Sequence, residues 1–347
     1  GQLWLSRQAT AAYNPRSFRC FAVEAVMHVS SGRWLFGLLL ALTTAVLWGI
    51  LPIKLKEVLQ VMDPVTVTWY RLLVSGVLLF LWLSTNRRLP RFAPLGRRGQ
   101  GLLVLAILGL TSNYVLYLIG LNMLSPGTTQ LVIQMAPILF LVASLFVFRE
   151  SFSLAQGIGM TILLLGFGLF FNQRLAELLT SLTAYTTGVL VILLAAFLWV
   201  FYGLAQKQLL TQWSSPQIMM VIYLACALLL TPWAHPLQVL QLSTLQCWLL
   251  LACCLNTLVA YGAFAEALAH WEASRVSATL SVTPLVTFVA VALAAVWWPD
   301  HVQPEQINLL GYTGALLVVL GSALTALGPS LLAGWRAEDD GRLWTFA

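Results

Sequence analysis

An α-helix needs about 20 consecutive apolar residues to cross the hydrocarbon layer of a bilayer, and this sequence supplies runs of that length repeatedly, separated by short polar breaks. They fall near 34–53, 64–83, 101–121, 127–148 and 155–171, then near 187–206, 215–233, 246–269, 274–297 and 307–327. The pattern predicts an all-α integral membrane protein with ten transmembrane helices. Of the 347 residues, 60% are hydrophobic and 9% charged, against roughly 25% charged in a soluble domain, so a water-soluble fold has no means of hiding this surface. Residues 1–33 differ: they carry Arg7, Arg16 and Arg19 and lack the apolar core and small-residue cleavage site of a secretory signal. Because the chain opens on Gly1 and Met27 lies just before the first span, residues 1–26 read as an upstream extension. Residues 329–347 read as a polar C-terminal tail, and 173–186 as a connecting segment.

The net charge of +6 does not indicate nucleic acid, because the basic residues sit in short loops between spans, where they set orientation. Arg87, Arg88, Arg91, Arg97 and Arg98 share the second loop, which is expected in the cytoplasm together with both termini, and with Arg33, Arg149, Lys207, Arg275, Arg336 and Arg342. Lys54, Lys56 and Arg174 fall in loops on the opposite side, and the two lysines dissent from the rule. Trp233, His235, Trp297, Trp298 and Asp300 suit the outer interface. Cys226, Cys247, Cys253 and Cys254 lie in or beside apolar stretches and behave as small hydrophobes. Metal-spaced Cys/His clusters, a phosphate-binding Gly-rich loop with Lys and Ser/Thr, and metalloprotease or hydrolase motifs are missing from the sequence. No cofactor or metal is expected, and an enzyme is the weaker class.

Internal repeats define a fold early, and one is visible here. Gly37 precedes Trp48 by the spacing that separates Gly188 from Trp199, and Lys56 then matches Lys207. Met135-Ala136-Pro137 matches Val282-Thr283-Pro284, which sets Gln130 and Gln134 against Ser277 and Ser281. Five spans per repeat, an odd number, make the second half, 187–328, cross with polarity opposite to the first, 34–172. In transporters such inverted repeats place the substrate near the midplane between them.

Polar side chains inside spans are costly and face a cavity or another helix. Asn113 and Tyr117 share one helical face, as do Gln130 and Gln134, and Ser277 and Ser281. Trp199, Tyr202 and Gln206 form another stripe, and Asn256 and Tyr261 mark the eighth span. With Trp48 they are candidates to line a partly aromatic cavity for a small polar solute; the alternative is interhelical hydrogen bonding alone, worth about 0.6 to 2 kcal/mol per bond. Pro137 and Pro284 each free a carbonyl in mid-span, either as a gate or as a static bend. Arg71, about eight residues into its span, either holds a carboxylate or snorkels outward beside Trp69 and Tyr70. Glu266, one turn before His270, is a candidate proton carrier if apolar surroundings raise its pKa, and otherwise an interface group near Glu272 and Arg275. Gly157, Gly159, Gly166 and Gly168, with Gly311, Gly314 and Gly321, permit close helix approach.

Taken in order, Ala45-Val46-Leu47-Trp48-Gly49, Trp69-Tyr70-Arg71-Leu72, Gly120-Leu121-Asn122 through Pro137, Glu266-Ala267-Leu268 and Ser277 through Pro284 resemble the ten-helix EamA-type transporters of the drug/metabolite transporter superfamily. Arg149-Glu150 looks like that family's turn before the fifth helix, with Arg where Gly is frequent. The resemblance spans residues 34–328. It implies two inverted five-helix repeats around a central cavity and export of small metabolites, such as amino acids or toxic compounds, across a bacterial inner membrane. A lipid-carrier flippase, for which Arg71, Lys54 and Lys56 would serve a head group, and a non-transporting membrane subunit are the competing readings.

Overall fold

The computed structural model describes residues 33–92, 95–147, 153–271 and 273–339; Arg149-Glu150, Met27, Glu272 and Arg342 lie outside them. Among the described residues every regular element is helical. In chain order these are α1 (Trp34–Val58), α2 (Pro64–Thr85), α3 (Gly96–Met123), α4 (Pro126–Val132), α5 (Met135–Val147), α6 (Leu154–Phe170), α7 (Leu175–Thr180), α8 (Ala184–Leu209), α9 (Ser215–Leu230), α10 (Thr244–His270), α11 (Ala273–Leu280), α12 (Thr283–Trp297) and α13 (Leu309–Asp339). Eight helical stretches are long and apolar enough to cross a membrane, and α6 is apolar but shorter. Leu165, Leu190, Phe197, Leu251, Val289 and Leu316 point outward, as lipid contact requires, and exposed Trp34, Trp233, Trp248, Trp297 and Trp298 sit toward helix ends, where amphipathic indole rings meet the interface.

Three boundaries differ from the sequence reading. The spans at 127–148 and 274–297 are each two helices, α4 with α5 and α11 with α12. The first span does not stop at 53: α1 continues through Pro52 to Val58, so Lys54 and Lys56 belong to a helix rather than a loop. The segment expected as a plain connection contains α7, which presents Glu177 to Arg174 at 3.2 Å. In addition, α13 runs on past Leu327 to Asp339.

Calling the end of the bundle that holds Trp34 the near end and the end that holds Val58 the far end, α2 starts at the far end with a built cap. Asp63 accepts from the Val65 and Thr66 amides at 2.9 and 3.0 Å and from the Thr66 hydroxyl at 2.6 Å, while Pro64 takes the first helical position. Burial works to raise the Asp63 pKa, but the hydrogen bonds from Thr66 and Val65 and the neighbouring His235 outweigh it and hold the carboxyl below its usual value. A depressed carboxylate pKa contributes stability that is present above the unfolded value of 3.8 and lost as pH falls below it. Asp63→Ala is therefore expected to cost about 1 kcal/mol at pH 7, read by denaturant unfolding, with the difference from wild type shrinking at acid pH. Reciprocal boxes cap α6 (Ser153 with Gln156) and α10 (Ser243 with Gln246).

The helices pack in pairs: α6 on α13, α2 on α9, α3 along α8 and α1 along α10. The α6–α13 seam explains four of the glycines, since a Cβ at Gly159 would lie 2.5 Å from the Thr325 amide and one at Gly166 2.6 Å from the Val318 amide, with Gly314 and Gly321 facing them. Gly168 faces open space, whereas Gly311 sits over Ile307 and Asn308 and meets the Phe170 carbonyl only at the end of the seam. Gly37 and Gly188 play matching parts, the first receiving Trp271 and the second Met123 and Leu124.

Candidate functional site

Two interrupted helices organise the interior. The α4–α5 break falls at Ile133-Gln134 and the α11–α12 break at Ser281-Val282, just ahead of Pro137 and Pro284 respectively. A proline cannot donate to the carbonyl four residues back. In the first break that carbonyl, Ile133 O, accepts from the Ala136 amide at 2.9 Å. In the second, Leu280 O accepts from the Thr283 hydroxyl at 2.6 Å. Both prolines thus lie in the first turn of the helix that follows a two-residue turn, and the acceptor that each one frees is locally satisfied. Buried Gln130 and Gln134 flank the first break and buried Ser281 forms the second. Tyr117 donates to Gln130 Oε1 at 2.8 Å, and Ser281 donates to the Ser277 carbonyl at 3.2 Å and bonds Ser322 of α13 at 3.0 Å. Ser277 itself is exposed.

Between α1, α2, α3 and α10 lies a basic cluster. Arg71 is only 3% exposed, which rules out snorkelling. Its Nε donates to Thr257 at 3.1 Å, and its guanidinium lies 5.0 Å over the Tyr114 ring, a cation–π contact. Lys54 of α1 turns inward and donates to Asn256 Oδ1 at 3.1 Å, one residue along α10 from Thr257, the partner of Arg71. Among the described residues neither cation is paired with a carboxylate. Desolvating an unpaired ion costs several kcal/mol, so the cluster is an expensive arrangement that packing alone does not explain. Buried Thr68 Oγ1 and Asn256 Nδ2 also have no hydrogen-bond partner among the described residues.

The remaining expected residues divide. Trp48 meets Tyr261 and Phe264 at ring separations of 5.2 and 5.8 Å, which joins it to the α10 side of the cluster, and Tyr261 also meets Tyr223 at 6.3 Å. Trp199 packs on Phe140 and Tyr202, and the Tyr202 hydroxyl points to Met219 Sδ at 3.2 Å. Asn113 donates to Ala195 O at 2.8 Å and is an α3–α8 tie, matched across the repeat by Thr44 donating to Ala260 O at 3.3 Å. Glu266 is exposed and bonded to His270 at 3.1 Å near the end of α10, away from the cluster of Arg71 and Lys54.

Sequence reasoning passed over Tyr114, Tyr223 and Thr257, and offered Lys54 only for a lipid head group. For Lys54 the signal was its position against the charge rule, which a helix extending to Val58 resolves. Lys56 resolves differently: its ammonium donates to the Leu121, Asn122 and Leu124 carbonyls at 2.7, 2.9 and 2.8 Å, capping the end of α3.

A concavity of about 500 Å³ opens at the far end, between the ends of α1, α3 and α6 and the 298–308 loop. None of the expected site residues line it. Glu305 reaches from this loop to the Gly127 amide at 2.7 Å, tethering the start of α4. Burial raises the Glu305 pKa above its ordinary value, against the hydrogen bonds from Ser125 and Gly127 and the charge of Lys56. A raised carboxyl pKa contributes stability that is full below the unfolded value, about 4.5, and lost as pH rises through the folded one. Glu305→Gln keeps an acceptor without the charge. The stability of wild type relative to Glu305→Gln is expected to fall as pH rises from 4 to 8, measured by thermal unfolding of the two proteins side by side.

The EamA-like transporter family matches residues 35–172 and again residues 186–327. The Escherichia coli (strain K12) protein named "Uncharacterized inner membrane transporter YhbE" is 43% identical over 302 residues, which is 86% of this chain and 94% of that protein. An "Uncharacterized transporter" of Haemophilus influenzae is 38% identical over 298 residues, 86% of this chain and 97% of its own length. A crystal structure at 17% identity shares the fold, with a TM-score of 0.59 over 85% of this chain and 98% of that one. The chain belongs to the EamA-like transporter family.

Proposed function

We propose that the chain is a secondary transporter of the bacterial inner membrane, with both termini in the cytoplasm, that exports small polar metabolites, such as amino acids or toxic compounds, by alternating access. On this reading there are ten crossings, α4–α5 and α11–α12 each counting as one, arranged as two inverted five-helix repeats. The observation that carries it is the helix pairing. Exchanging α1, α2, α3, α5 and α6 for α8, α9, α10, α12 and α13 turns the α3–α8 contact into α10–α1 and α5–α8 into α12–α1, and leaves α2–α9 and α6–α13 as they are. That self-mapping supports a pseudo-two-fold axis between the halves, and interrupted helices facing such an axis are where transporters hold solutes.

The test is counterflow in proteoliposomes with a panel of labelled amino acids and other small metabolites, with and without a pH gradient. Saturable exchange that falls at least tenfold in Trp48→Ala, Trp199→Ala and Gln134→Ala is expected. Absence of flux for every solute, from protein shown to be folded, would overturn the reading in favour of a lipid carrier or a non-transporting subunit.

A further inference from the structure

We infer that Arg71 and Lys54 hold the negative charge of the transported solute, a carboxylate or phosphate, and this rests on the transport reading above. The chain has 12 acidic residues, and the described ones toward the far end include three that are engaged and Asp300, which is exposed in the loop after α12. Asp63 caps α2 and faces His235, Glu57 bonds His301 and Gln60, and Glu305 holds Gly127. Glu266 is bonded to His270 at the near end. Spans rich in Leu, Val and Ala therefore bring two cations together, and among the described residues no carboxylate pairs with either.

The groups left over around the pair are donors. Lys54 makes one hydrogen bond, to Asn256, and Arg71 makes one through Nε, to Thr257, which leaves its terminal guanidinium nitrogens without a hydrogen bond among the described residues. Asn256 Nδ2 is buried beside them with no hydrogen-bond partner among the described residues, while the buried Tyr114 hydroxyl is directed to those of Tyr261 and Tyr223. Two cations with spare N–H donors form the complement of a carboxylate or phosphate, and the guanidinium fork matches either in bidentate fashion. The surrounding rings of Tyr114, Tyr261 and Trp48 give the anion an apolar wall, which favours a solute with an apolar part next to its charge. Lys54 is half-buried where Arg71 is buried, so entry from the far end meets Lys54 first.

The test is binding to the full-length protein in neutral detergent at fixed ionic strength, read as a saturable rise in melting temperature. The probes are lactate, phenyllactate, inorganic phosphate and glycerol 3-phosphate, with lactamide, phenyllactamide and glycerol as the uncharged counterparts. At least one anion is expected to stabilise where its uncharged counterpart does not, with apparent affinity at least tenfold weaker in Arg71→Gln and in Lys54→Met and partly restored in Arg71→Lys. If Arg71→Gln does not fold, Lys54→Met at its half-buried position carries the comparison. Stabilisation by no anion, or stabilisation that persists in both variants, would overturn the inference. So would stabilisation by phosphatidylglycerol but not glycerol 3-phosphate, which would assign the pair to a lipid head group. Counterflow of a neutral solute unaffected by either variant would leave transport standing and remove the anion.

Discussion

Gly321→Leu is expected to prevent α6 and α13 from closing, with a loss of at least about 3 kcal/mol and a marked fall in the yield of folded protein. A Cβ at Gly321 would lie 2.6 Å from the Gly159 carbonyl, and the obstacle is backbone, which cannot rotate aside as a side chain can. In a bilayer helices gain little from hiding apolar surface from lipid, so close packing supplies the association energy and a seam held apart forfeits it. Gly168→Leu is the control, because a Cβ there meets open space; it is expected to leave stability unchanged. Resistance of each variant to unfolding in SDS, with size-exclusion profiles, measures the difference.

The second large effect concerns Lys56. All three ammonium protons go to carbonyls at the end of α3, where the helix leaves acceptors unpaired and its dipole favours a cation. Lys56→Met keeps the stem and removes the donors, at a cost of about 3 kcal/mol. Lys56→Arg is expected to restore only part of this, because a planar fork cannot reach three acceptors arranged around a point. Equilibrium unfolding of the three proteins in mixed micelles gives the ranking wild type, then Arg, then Met.

The two lysines show how far the sequence could be read. Composition and run length pointed to the eight stretches that are long and apolar enough to cross a membrane, because about 20 apolar residues in a row serve little else. The repeat was legible in Gly37 and Gly188, which receive neighbours at matching places. Where a helix breaks was less legible. Pro137 and Pro284 mark a lost donor, but whether the chain kinks or stops depends on nearby groups such as Thr283 that take up the freed carbonyl. Polar residues in spans look alike in sequence, so Asn113, an interhelical tie, and Asn256, a partner of Lys54, could not be told apart. Arg71 and Lys54 lie on different helices, and only packing brings them side by side. Lys54 and Lys56, which dissent from the charge rule in the predicted orientation, have separate parts in the fold, an inward bond to Asn256 for one and a helix cap for the other.

Solvent access to position 134 from each face of the membrane tests alternating access most directly. Gln134→Cys is placed in a protein whose native cysteines are replaced by Ala or Ser, then labelled with a charged, membrane-impermeant thiol reagent in right-side-out and in inside-out vesicles. Labelling from both faces is predicted, with a transported solute slowing one face relative to the other, since Gln134 sits at the interrupted helix. Labelling confined to one face under every condition would contradict a site that opens to each side in turn.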